Sequence, residues 1–190
     1  MPDRRLPALV VFASLHLGEE ASVVQEKPTA VLRHHARYLR LSNEELEYLE
    51  DALEGCQAFL ALSSGQNSPS TREVYRYFQS FSAAGVDAIF LGLADVLARH
   101  GTAAPLQAWP RALDTARSLL EAWWERQEEV ISPPALLSGH DLMDHFGLDP
   151  GPEIGSLLAA IREEQAVGKI TTREGALDFA RKRLSEKSSM

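Results

Sequence analysis

A single cysteine, Cys56, stands in 190 residues, which excludes an internal disulfide and fits a reducing compartment. Long hydrophobic runs are lacking as well. The apolar stretch near the start, Leu6 to Leu15, falls far short of the roughly 20 residues needed to span a bilayer. Arg4 and Arg5 ahead of it imitate a secretory leader, but His16, Glu19 and Glu20 follow and no small-residue cleavage site appears. A buried first helix over Leu6 to Leu17 is therefore expected, in a soluble, cytoplasmic protein with no membrane partner. Positive charge is also short: 19 Lys and Arg face 27 Asp and Glu, a formal net charge of −8. Binding phosphates needs clustered cations, so this balance excludes a general nucleic-acid sponge, and no DNA partner is expected. Any RNA contact must come from local basic patches on an acidic body.

Catalytic signatures are equally scarce. There is no Asp-x-Asp pair, no Gly-x-Ser-x-Gly elbow and no Gly-x-x-x-x-Gly-Lys phosphate loop. Cys56 lies in an apolar helical context with no evident basic partner, which reads as buried packing rather than as a nucleophile. Histidines are poorly spaced for metal. His34 and His35 are adjacent and would point about 100° apart on a helix. His140 and His145 miss the three-or-four spacing that shares one helical face, and Asp141 is better explained as a cap partner.

What is present is helix. No convincing run of alternating strand residues occurs, so the expected class is all-α. Pro28 to Arg40 reads as one helix. Ser42 opens the next, with Glu45 completing a capping box and further acids loading the early turns. After the loop Ser63 to Pro69, Ser70 and Glu73 repeat the box ahead of Val74, Tyr75, Phe78 and Phe81. Gly85 is expected to end that helix and Val86 to His100 to form another. A long helix follows Pro105 and Pro110, carries Trp123 and Trp124, and is expected to run until Ser132-Pro-Pro134 breaks it. That break divides a body, 1–132, from a tail, 133–190. In the tail, Ser138 with Asp141 opens a helix that Gly147 closes. Pro152 opens a second that Gly168 closes, and Thr171 with Glu174 opens a third. The aromatic pairs Tyr75/Phe78 and Trp123/Trp124 are expected to pack in a core, and Gly155 to admit a neighbouring helix closely.

Three tail motifs carry a resemblance. They are Ser-Gly-x-Asp-Leu-Met from Ser138, Gly-Leu-Asp-Pro-Gly-Pro-Glu-Ile-Gly from Gly147, and Gly-x-Ile-x-Thr-Arg-Glu from Gly168. Together they resemble the C-terminal segment of bacterial tRNA nucleotidyltransferases of the CCA-adding and poly(A) polymerase family. Phe12 to His16, Arg40 to Glu45, Thr71 to Phe78 and Ala84 to Asp95 resemble, more weakly, the HD-domain region found in many members. The resemblance implies a helical bundle like a degenerate HD domain followed by a small three-helix tail, with tRNA as partner. It also implies a catalytic head that would hold Mg with ATP or CTP. The acidic pair of that head is missing here, so no catalytic residue and no cofactor of its own is expected in this chain, and a separately encoded head is a candidate partner. Of the HD metal ligands only His16 and Asp95 remain as remnants: Leu17 follows His16, no histidine stands near Gln25 to Lys27, and Cys56 falls where another would sit. Two separated ligands are too few for a hydrolytic metal. A residual HD-type phosphohydrolase and a stand-alone protein-interaction module are the rival readings.

Two basic patches could meet RNA. Arg33, Arg37 and Arg40 follow i, i+4, i+7 on the expected helix. They read either as a phosphate-tracking stripe or as partners of the acidic helix that follows. Lys169, Arg173, Arg181, Lys182, Arg183 and Lys187 gather in the tail. The family resemblance favours RNA there, while cations near a helix C-terminus also stabilise the dipole without any RNA.

Overall fold

The structure, a computed structural model, describes residues 33, 40–100 and 108–188. The expected helix over 6–17, most of that over 28–40, and the readings placed on His16, Arg37 and Pro105 lie outside these residues. Among the described residues every element is helical and no strand occurs, as the all-α expectation requires. In order they are α1 (Asn43–Ser63), α2 (Thr71–Phe81), α3 (Ala84–His100), α4 (Ala108–Glu125), a π-helical turn (Gln127–Ile131), α5 (Gly139–Phe146), α6 (Pro152–Ala166) and α7 (Arg173–Ser188).

The helix starts follow their capping chemistry. At α1 the Glu45 N–H donates to Ser42 Oγ at 3.2 Å, and Glu45 Oε2 accepts from the Ser42 N–H at 2.7 Å. Ser70 with Glu73 makes the same exchange at α2, and Ser138 with Asp141 at α5. Each exchange satisfies orphan donors that a free helix end leaves to water. Gly147, with φ 65°, closes α5 in the left-handed conformation. After α6 the Gly168 N–H donates to Gln165 O at 2.8 Å and the Lys169 N–H to Glu164 O at 2.9 Å, the paired bonds of a Schellman motif.

Three boundaries differ from expectation. Gly85 does not end α2; it lies in the first turn of α3. The stop is Ser82, whose φ of 44° takes the chain out of the helix. Gly85 is needed for close packing instead: a Cβ there would stand 3.0 Å from Tyr77 Cε1, and its carbonyl accepts the buried Tyr77 O–H at 2.9 Å. The long helix breaks before Ser132, because Arg126 leaves helical geometry (φ −127°, ψ 30°) and a π turn follows. The Ser132 N–H then donates to Gln127 O at 2.8 Å, and the wider turn brings the consecutive Val130 and Ile131 both into the interior. Thr172, not Thr171, caps α7, with Oγ1 accepting from the Gly175 N–H at 3.1 Å.

The described residues form two compact units, one of 33, 40–69, 77–100 and 108–120, the other of 70–76 and 121–188. In the first, α1 packs on α3. Leu49, Ala52, Leu53 and Cys56 meet Ala84, Ala88 and Leu91 in its core, where each buried leucine contributes about 2 kcal/mol. Glycine sets how near these helices come. A Cβ on Gly55 would lie 2.9 Å from Ala88 Cβ, and one on Gly92 only 2.2 Å from Phe59 Cδ1. Across the same contact Tyr48 donates to Asp87 at 2.5 Å; burial, then Asp87, pushes the Tyr48 phenol above its ordinary value. In the second unit, Leu137, Leu142, Ile154, Leu157, Ile161, Ile170, Ala176 and Ala180 form the core, and α6 packs against α5, α7 and the π turn.

Two packing expectations are overturned. Tyr75 and Phe78 are buried as expected, whereas Trp124 is 62% exposed. It follows Trp123 by one residue, so a helix cannot turn both indoles to the same side. Gly155 admits no neighbouring helix: it is exposed, with nothing within 4 Å of a Cβ built on it.

Candidate RNA-contact surface

The tail cations are arranged by α7, which turns Ala176 and Ala180 inward and leaves Asp178, Arg181, Lys182 and Arg183 in solvent. Arg173 in its first turn reaches α5. There it binds the Asp141 carboxylate and lies 3.4 Å from Leu136 O. Asp141 thus serves two elements, as cap partner of Ser138 and as anchor of Arg173. The hydrogen bond from Arg173, then those from Ser138, hold its carboxyl well below the ordinary carboxylate range. Arg181 places Nη1 2.8 Å from Asp178 Oδ1 and Nη2 3.5 Å from His145 Nε2. Lys169 lies 3.5 Å from Glu164 Oε2. Among the described residues Lys182 and Arg183 are exposed and in no ion pair. They are the cations of this set most open to a phosphate.

A second basic group in the same unit escaped the sequence reading. Arg72 reaches Glu163 at 2.6 Å and Glu164 at 2.8 Å, and Arg76 reaches Glu163 at 2.7 Å. Burial works against the Glu163 charge, yet hydrogen bonds from Arg72 and Arg76 outweigh it and hold this carboxyl below its usual value. The partners are about 90 residues apart, so no local spacing could have signalled them.

In the first unit, Arg33 pairs with Glu50, its Nη2 donating at 2.8 Å. Arg40 is exposed with φ 53°, so the helical register counted from Arg33 does not carry to it. Buried Asp95 has Oδ2 2.7 Å from Arg99 Nε, close enough for an ion pair though out of line for a hydrogen bond. Among the described residues no group of three or more His, Cys, Asp or Glu is placed to hold a metal ion. Asp95, the one HD remnant among the described residues, thus faces Arg99.

Sequence comparison gives this surface a context. Over 56 residues, 30% of the chain and 13% of the relative, the chain is 39% identical to an A-adding tRNA nucleotidyltransferase of Deinococcus radiodurans. It is 45% identical over 65 residues (31% of the chain, 15% of the relative) to a CC-adding tRNA nucleotidyltransferase of Thermus thermophilus. A CC-adding tRNA nucleotidyltransferase of Synechocystis sp. matches at 26% over 142 residues, 75% of the chain and 30% of the relative. No protein-family model and no solved structure matches. The matched portions are therefore less than a third of these relatives' lengths. Similarity to tRNA nucleotidyltransferases thus extends through 75% of the chain, at 26% identity, and rises to 39% and 45% over shorter stretches.

Proposed function

We propose that this chain is a tRNA-binding body and tail, positioning tRNA for a catalytic head that these 190 residues do not include. The observation that supports it most is kinship with three tRNA nucleotidyltransferases combined with the open cations Lys182 and Arg183 on α7. In this reading Mg and ATP or CTP belong to the head, and this chain contributes affinity and orientation, with phosphate contacts supplying the electrostatic part. Such a role belongs in the cytoplasm. No single helix among the described residues is long and apolar enough to cross a membrane.

Binding of the purified chain to labelled tRNA across a salt series, with duplex DNA as control, tests this directly. The expected result is tRNA affinity with a Kd near or below about 1 μM that weakens as salt rises, and that falls in Lys182→Glu/Arg183→Glu. Absence of binding at low salt sinks the reading. One observation favours a second, a protein-docking module: Phe90 and Leu97, seven positions apart on α3, are 51% and 47% exposed. That reading predicts a stable complex with a partner and no dependence on the α7 cations.

A further inference from the structure

His145 and Arg181 approach each other in a way that neither capping nor core packing requires. Arg181 Nη2 lies 3.5 Å from His145 Nε2, and both side chains face solvent. Guanidinium is always a donor, so Nε2 can accept only while the imidazole is neutral. Protonation turns Nε2 into a second donor and leaves two cations facing each other. That arrangement repels unless an oxyanion bridges them. The ring is steadied edge-on against Phe146, with centroids 4.8 Å apart, and stands in the last turn of α5, the end of a helix that favours a cation.

We propose that His145 and Arg181 form a two-pronged oxyanion site that takes one phosphate of an RNA backbone, engaged most strongly when the imidazole is protonated. The choice of RNA as ligand rests on the tRNA-binding reading; the site itself does not. Each prong donates one charge-assisted hydrogen bond to a phosphate oxygen.

The neighbouring charges allow this. On α5, Asp141 is held by Arg173 and Ser138, and Asp144 is exposed. From α7 come Asp178, Lys182 and Arg183. Asp178 competes for Arg181, but that pair is 61% and 74% exposed, a setting in which ion pairs are weak enough to yield to a phosphate. On α6, which packs against α5, the charged residues are Glu153, Arg162, Glu163 and Glu164. The last two are taken by Arg72, Arg76 and Lys169.

The test follows the imidazole signals of the full chain by NMR at about pH 5.5 and pH 8 while inorganic phosphate, then tRNA, is added. Phosphate should move the His145 signals, more strongly at the lower pH, and Arg181→Gln should abolish that response. Affinity for tRNA should be roughly two- to five-fold tighter at the lower pH, the scale of one exposed charge contact. His145→Gln should remove this gain while keeping the binding seen at the higher pH. If tRNA binds but His145 is untouched by phosphate and His145→Gln keeps the pH gain, the site is overturned and the tRNA reading stands. If phosphate moves His145 but tRNA never binds, the oxyanion site stands and its assignment to RNA is overturned.

Discussion

Gly92 and Gly155 are the same residue in helices, yet their surroundings demand opposite responses to a methyl group. A Cβ on Gly92 would enter the Phe59 ring, 2.2 Å from Cδ1 and 2.8 Å from Cε1, and that ring is fully buried. Gly92→Ala must displace Phe59 or spread α1 from α3, and it should destabilise by about 1–3 kcal/mol in urea unfolding. At Gly155 a Cβ meets nothing within 4 Å. Gly155→Ala removes only the entropic weakness of glycine inside a helix and should stabilise by about 0.5–1 kcal/mol. Effects of equal sign in the two variants would refute the packing of α1 on α3 described above. Trp124 sharpens the point from the other side: with 62% exposure, Trp124→Gln should change stability by less than about 0.5 kcal/mol while altering the intrinsic fluorescence. Nothing in the letters Trp-Trp tells which indole faces water, because that depends on what the helix packs against.

At the scale of elements, Asp141 joins the start of α5 to the start of α7. Its carboxyl is held low first by Arg173 and then by Ser138, so the folded state binds a proton there less readily than the unfolded chain. A depressed carboxyl stabilises above the unfolded value, about pH 3.9, and that contribution is lost as pH falls through this range and below. Asp141→Asn should therefore be less stable than the parent at pH 7 and show a flatter loss of helical ellipticity on acidification. The difference should shrink at high salt, because the pair with Arg173 is exposed. Ser138→Ala, which removes the other half of the box, should cost about 1 kcal/mol. The start of α5 was legible in the sequence because its capping box is written within four residues, whereas the cap of α7 falls one residue later than the letters suggested. The π turn was not, since it depends on drawing Val130 and Ile131 together into an interior that local pattern does not contain. Nor was the Arg72 and Arg76 network on α6, for the same reason of distance along the chain. Of the tail cations, the sequence showed their number and proximity. It could not show that Arg173 and Arg181 have acidic partners while Lys182 and Arg183 stand open.

For the whole molecule the governing quantity is the net charge of −8, which opposes any polyanion before a single contact forms. That opposition and the local phosphate contacts respond differently to salt. Long-range repulsion is screened once the Debye length falls from about 30 Å at 0.01 M to about 10 Å at 0.1 M. Contact through counterion release keeps weakening as salt rises, with a log–log slope of about −0.9 for each phosphate neutralised on a duplex. Affinity for tRNA should accordingly be nearly flat at low salt and fall steeply only above about 0.1 M, unlike the straight line of a basic protein. Replacing both Lys182 and Arg183 by Gln should reduce the steep limb by about two slope units if each meets a phosphate. Arg40→Gln makes half that change in net charge far along the sequence, and it should leave the steep slope intact while lowering affinity slightly at low salt. Filter binding from about 0.01 to 0.5 M salt separates the cases. Equal slopes in all three proteins would mean that Lys182 and Arg183 touch no phosphate, and that other groups hold tRNA to this chain.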